Sequence, residues 1–230
     1  MIERHFSLED ASLAVLHSGV SILPLTEEEV AEWRKIPAAV ASDELNRTAT
    51  LDAGIRPVTR NGSFAGVAMT VRAAAGDNLA LHHAVAQPGH GCVLMVDAGG
   101  YDRNAVWGGI LQRAAEVAGF TAVVVDGCIR DSAEIAASKI SCYARGIVPA
   151  GPHKGWGGEI NGEIQVGGAV VRPGDVVIGD EDGVTIIPFA DRAEVLVRAQ
   201  ARVAMEKEMI QRIGRGEKTI DILKLRDGQV

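Results

Sequence analysis

The alternation of apolar and polar positions predicts the centre of the chain most clearly. From Ala65, "AGVAMTVRA" alternates like a strand, "DNLALHHAVAQ" has helical spacing, and "CVLMVD" is an apolar strand ending in Asp97. "NAVWGGILQRAAEVAGF" then reads as an amphipathic helix closed by Gly119, before the strand "TAVVVD". Strand, helix, strand at this spacing predicts crossover units in a mainly parallel sheet. In such a sheet the loops leaving the C-terminal strand ends carry ligands. Asp97, Asp126, Arg130 and Asp131 are therefore expected near one rim.

The flanks read differently. "LTEEEVAEWRKI" opens with a capping box, Thr26 with Glu29, and a short helical segment is expected after Pro37. Between Ile147 and Pro188 the chain is Gly-rich and short-stranded, with "GDVVIGDEDGVTIIP" reading as two strands around a turn from Asp180 to Gly183. The tail places Val195, Leu196, Ala199, Val203 and Ile210 at roughly helical period and stops near Gly214 or Gly216. Such a terminal helix packs on its own sheet or on a neighbouring subunit. No repeat, linker or low-complexity run divides the chain.

Composition narrows the function classes. With 230 residues, 47% of them apolar, the chain can bury a full core. A formal charge of -7 and the absence of clustered Lys and Arg argue against a nucleic-acid surface. Cys92, Cys128 and Cys142 are widely spaced without a CxxC pair, and read as small buried hydrophobes in a reducing compartment. In the stretch leading to Leu25, Glu9 and Asp10 precede the apolar run, and His17, Ser18 and Gly19 interrupt it. That is neither a signal peptide nor a bilayer span, so a cytoplasmic protein without a membrane partner is expected.

The candidate chemistry is sparse. In "VVVDGCIRD", Arg130 and Asp131 stand at the end of a strand, where Asp131 could cap the next helix or the pair could form a site. "GDN", Gly76 to Asn78, precedes a helix and reads as a cap or an anion-holding turn; His82 and His83 are adjacent and so face different ways. The glycines of "WGGI" cost helix stability, which tight packing or close approach of a ligand to bare amides would offset. "HKGWGGEINGE" lacks the P-loop and dinucleotide patterns and reads as a shaped loop. No nucleophile elbow, HExxH or methyl-donor fingerprint is present. Carboxylates, one arginine and helix-start amides suit a hard divalent cation with few protein ligands and an anionic substrate.

The order of "GVAMTV", "GDN", "VLMVDAGG", "AVWGGIL", "VVVDGCIRD", "ARGIVPAGP" and "GGEINGEIQVGGAVVRPGDVVIGDEDGVTIIP" resembles the RraA-like family, over roughly Leu45 to Gly216. That family includes 4-hydroxy-4-methyl-2-oxoglutarate aldolases with oxaloacetate decarboxylase activity and the regulator of ribonuclease activity A. The resemblance implies one α/β domain of the swivelling β/β/α kind with a C-terminal helix. The extension over about 1–44 would be helical, the core about 45–190, and the terminal helix about 191–214. It also implies a homotrimer or a hexamer of trimers, a site at a subunit interface, and Mg²⁺ or Mn²⁺. By the same resemblance Arg130 would bind a 2-oxo acid substrate and Asp131 the metal, with amides of Gly108, Gly109, Ile110 and Leu111 holding the carboxylate. Glu206, or else Glu208, would be the acidic helper from a neighbouring chain. One departure stands out: the aldolase pattern has an acid, twenty residues, then Arg-Asp, and that acid is Gly109 here. Asp97, Asp102 or Asp126 would then replace it, or water would hold more of the metal, or aldol chemistry would be altered or lost. The resemblance thus implies a metal-dependent pyruvate-forming lyase, or a non-catalytic regulator that binds a ribonuclease or helicase.

Overall fold

The computed structural model describes residues 15–60 and 63–225, so Glu9 and Asp10 of the opening stretch lie outside it. The chain begins with β1 (Val15–His17), α1 (Glu27–Trp33) and α2 (Ala38–Glu44). The Thr26 capping box forms as the sequence predicts: Glu29 N–H donates to Thr26 Oγ1 at 3.1 Å, and Thr26 N–H donates to the Glu29 carboxylate at 2.8 Å. The expected all-helical extension differs in one respect, because Val15–His17 is a strand that adds to the sheet edge.

The centre consists of β2 (Arg56–Pro57), β3 (Phe64–Ala73), α3 (Leu79–Val85), β4 (Cys92–Asp97), β5 (Ala105–Trp107), α4 (Gly109–Ala118), β6 (Ala122–Ile129), α5 (Ser132–Ala136) and β7 (Ser141–Ile147). It is completed by β8 (Gly158–Ile160), β9 (Ile164–Val166), β10 (Ala169–Val171), β11 (Val176–Asp180), β12 (Gly183–Ile187), α6 (Arg192–Gly214) and α7 (Thr219–Ile222). β3, β4, β6 and β7 run parallel and adjacent, with α3, α4 and α5 as their crossovers. Antiparallel strands flank them. β11 pairs with the first half of β3 and β8 with its last three residues, while β2 lies along β7.

Side chains alternate across this sheet and bury both faces. Val67, Met69 and Val71 of β3 join Leu81, Leu111 and Ile135 under the crossover helices. Ala68 of the same strand joins Val93, Val124 and Tyr143 under β9 and β10 on the other face. A third cluster packs Trp33, Val40, Val195 and Ala199 of α1, α2 and α6 against Val176, Ile178 and Ile187 of the β11–β12 hairpin.

The helix expected from Asn104 starts later. Ala105, Val106 and Trp107 are all buried, so they lack a polar face, and their backbone extends the sheet by pairing with Cys128 and Ile129. Helix begins only at Gly109. The three cysteines are free and buried, and burial alone pushes the Cys92 thiol up to about 11 and Cys142 up to about 12, which leaves them unreactive packing groups. No described helix is long and apolar enough to cross a membrane.

Candidate active site

The C-terminal ends of β5 and β6 set the site. Arg130 N–H donates to Trp107 O at 3.0 Å, which ties the residue after β6 to the residue before the α4 glycines. Trp107 is fixed in turn: its indole N–H donates to Gln112 Oε1 at 2.8 Å, and the buried Gln112 amide donates to Ser138 Oγ and Ile140 O, both at 3.1 Å. A buried amide satisfied this way locks the start of α4 against the end of α5.

Asp131 occupies the N-cap position of α5, yet its side chain does not cap that helix. Its φ is +59°, the left-handed region that non-glycine residues seldom adopt. The turn sends its carboxylate across to α4, where Oδ2 accepts from Gly109 N–H at 3.0 Å. The Arg130 guanidinium lies 3.7 Å from the same oxygen and makes no hydrogen bond among the described residues. The Asp131 carboxylate therefore serves the start of α4 and not that of its own helix.

The two glycines act by lacking side chains. A Cβ at Gly108 would come within 2.7 Å of Asp131 Oδ2, and one at Gly109 would overlap the Glu134 carboxylate. The Glu134 carboxylate thus fills the space that a side chain at position 109 would take. Sequence reading missed Glu134; its signal was the three-residue spacing from Asp131, which puts both on one face of the first turn. Asp97, Asp102 and Asp126 do not serve instead. Asp126 accepts from Arg145 and from Gly167 N–H, both at 2.6 Å, Asp97 accepts from Gly99 N–H at 3.0 Å, and Asp102 pairs loosely with Arg103. None of the three lines the Arg130 cleft.

That cleft measures about 70 Å³ and is walled by Trp107, Gly108, Ile110, Leu111, Arg130 and Asp131, together with His82 and Lys154. It is far below the roughly 300–1,000 Å³ that drug-sized ligands fill, so it suits a small acid. Ile110 and Leu111, in the first turn of α4, have amides with no intrahelical acceptor and so can receive an anion. His82 lines the cleft, while its neighbour His83 does not. Burial, reinforced by Lys154 and His83, holds the His82 imidazole below the ordinary value and therefore neutral near pH 7. Glu206 is elsewhere: on α6 it pairs with Arg202 at 3.0 Å, and Arg202 also holds Asp43 at 2.8 Å. Glu208 is exposed on the same helix. Within one chain neither reaches Arg130.

Among the described residues no group of three or more His, Cys, Asp or Glu side chains could hold a metal. The donors that do face α4's start are the oxygens of Asp131 and Glu134, and hard oxygen donors with room for water fit Mg²⁺ or Mn²⁺.

Fold and site together define an α/β protein whose parallel strand ends bring an arginine, carboxylates and free helix-start amides into one place. The chain belongs to the RraA-like family (aldolase/RraA), whose sequence profile matches residues 38–186. It is 37% identical to a protein of Halalkalibacterium halodurans provisionally named 4-hydroxy-4-methyl-2-oxoglutarate aldolase, over 76% of this chain and 83% of that one. Among solved structures it resembles the RNA-processing inhibitor RraA from Thermus thermophilis, at 32% identity and TM-score 0.61 over 66% of this chain and 92% of that one. An uncharacterized Pseudomonas syringae protein shares the fold, with TM-score 0.74 at 23% identity over 85% and 96% of the two chains.

Proposed function

We propose that the protein is a divalent-metal-dependent lyase that cleaves 4-hydroxy-2-oxo acids resembling 4-hydroxy-4-methyl-2-oxoglutarate to pyruvate, and decarboxylates oxaloacetate. The convergence of Arg130, Asp131 and the first turn of α4 on one small cleft, with the Glu134 carboxylate beside Gly109, supports this reading above all. The aldolase name of the Halalkalibacterium halodurans relative agrees with it.

In this reading the amides of Ile110 and Leu111 receive the substrate carboxylate. Arg130 adds a fixed positive charge beside the keto oxygen, where negative charge grows as the carbon-carbon bond breaks. Asp131 and Glu134 would hold Mg²⁺ or Mn²⁺, directly or through water. Once bound, that ion supplies Lewis-acid stabilisation of enolate charge. The proton leaving the C4 hydroxyl needs a base, and Glu206 from a neighbouring copy is proposed for it. The bond electrons pass to the departing pyruvate enolate, whose carbon then takes a proton. A trimer or hexamer would bring that copy close, and α6 offers exposed Val197, Met205, Ile210 and Ile213 for packing.

Pyruvate release from oxaloacetate and from 4-hydroxy-4-methyl-2-oxoglutarate tests the proposal. Turnover is expected with Mg²⁺ and not with EDTA, and Arg130→Ala and Asp131→Ala are each expected to lose about 100-fold or more. Turnover no faster than the free-ion background would sink the enzyme reading. The likeness to the Thermus thermophilis inhibitor would then favour a regulatory role through binding an RNA-processing partner.

A further inference from the structure

The helix that carries Asp131 and Glu134 is short, and α4 holds it at both ends. At its start, Asp131 Oδ2 accepts from Gly109 N–H at 3.0 Å. Past its end, the Gln112 side-chain amide donates to Ser138 Oγ and to Ile140 O, each at 3.1 Å. Glu134 falls between these two points in sequence, with its carboxylate beside Gly109. The 5 residues of α5 make little more than one helical turn, too few to keep two carboxylates at a fixed separation unaided. The clamp from α4 keeps it for them.

The residue type at the far joint is specific. Gln112 is only 3% exposed, and its contacts use both amide protons and the carbonyl oxygen. An indole N–H can only donate and a backbone carbonyl can only accept, so the amide has one orientation: Oε1 to Trp107, Nε2 to Ile140 O. A carboxylate here would bring no proton to Ile140 O, and an aliphatic side chain would deprive both Trp107 N–H and Ile140 O of this partner. The Trp107 arm reaches the site through its own backbone, since Trp107 O accepts from Arg130 N–H at 3.0 Å. One side chain thus ties the exit of β5, the start of α4 and the segment leading from α5 to β7 into a frame around Arg130, Asp131 and Glu134.

We propose that Gln112 is a positioning residue: by holding the far end of α5 against α4, it fixes the Asp131 and Glu134 carboxylates relative to each other and to the first-turn amides, and so sets the pair's affinity for a hard divalent cation. This deepens the lyase reading of the same cleft and rests on it. Gln112 does not line the cleft, so its effect passes entirely through the residues it holds.

Titration with Mn²⁺, followed by the electron paramagnetic resonance signal of the free ion, reads this without turnover. The wild type is expected to bind Mn²⁺, Gln112→Met to bind it about tenfold more weakly, and Ser138→Ala, which removes one of the two contacts beyond α5, about threefold more weakly. Val195→Ala is the control for lost stability alone. Val195 is buried in the separate cluster of α1, α2 and α6, so this variant melts earlier yet is expected to keep its Mn²⁺ affinity within about twofold. At saturating metal, Gln112→Met is expected to lower kcat for oxaloacetate decarboxylation about tenfold with KM within about twofold, because the amides of Ile110 and Leu111 belong to α4 itself. Unchanged Mn²⁺ affinity in Gln112→Met, an equal loss in Val195→Ala, or a rise in KM without a fall in kcat overturns the positioning role and leaves the lyase reading in place. Where Gln112→Met does not fold, Ser138→Ala decides in the same way. A wild type that binds no Mn²⁺ overturns the metal site, and this role with it.

Discussion

Glu134 and residue 109 compete for one volume, and that competition can be tested directly. Gly109→Asp alone sets a new side chain against the Glu134 carboxylate, so it should lower the melting temperature and the activity. Combining it with Glu134→Ala clears the space and returns an acid to it; the double variant should regain oxaloacetate decarboxylation that Glu134→Ala alone loses by tenfold or more. His82 gives a second residue-level test. Its folded value lies below the unfolded value of about 6.5, so between the two the unfolded chain holds the proton and the native chain does not. Stability contributed by this group is therefore full above about pH 6.5 and declines as pH falls below it. Urea midpoints at pH 7.5 and 5.5 should differ less in His82→Gln than in the wild type. Arg130 and Asp131 were legible in sequence because residues at a strand's exit fall on the ligand rim. What Asp131 does with its carboxylate was not, because a single left-handed φ redirects it and no residue pattern reports that angle.

At the scale of elements, Asp126 joins three segments. It accepts from Arg145 of β7 and from Gly167 N–H in the β9–β10 turn, and Arg145 continues to Asp52 at 2.8 Å. The Asp126 side chain is only 10% exposed, so Asp126→Ala would leave an amide and part of a guanidinium without acceptors. A destabilisation of about 3 kcal/mol is expected, read as a lower denaturant midpoint at unchanged slope. The parallel centre was legible from period alone, since buried strands and amphipathic crossovers have contrasting patterns. The antiparallel flanks were not. Pairing of β8 and β11 with β3 joins residues roughly a hundred positions apart, and three-residue strands carry too few alternations to show a period. β5 was hidden for a related reason: three buried residues running into a helix share its apolar texture.

For the whole molecule, the open matter is where the α6 acid acts. This 23-residue helix buries only Val195 and Ala199 on its own chain and holds Glu206 in an ion pair away from Arg130. If a neighbouring copy supplies Glu206 to the cleft, Arg130→Ala and Glu206→Ala proteins should each be inactive alone and active when unfolded together and reassembled. Random pairing at equal amounts predicts about a quarter of wild-type turnover, since half of the copies bring each intact group. No recovery would remove Glu206 of a neighbouring copy from the site.

Placing the second acid on α5 has a consequence for how the site is inherited. Arg130, Asp131 and Glu134 all fall within one loop and a single helical turn, so the arginine and both carboxylates beside the start of α4 are written in one short uninterrupted segment. A local exchange of that segment would transplant or erase all three groups at once. Position 109 need only stay small for the graft to take.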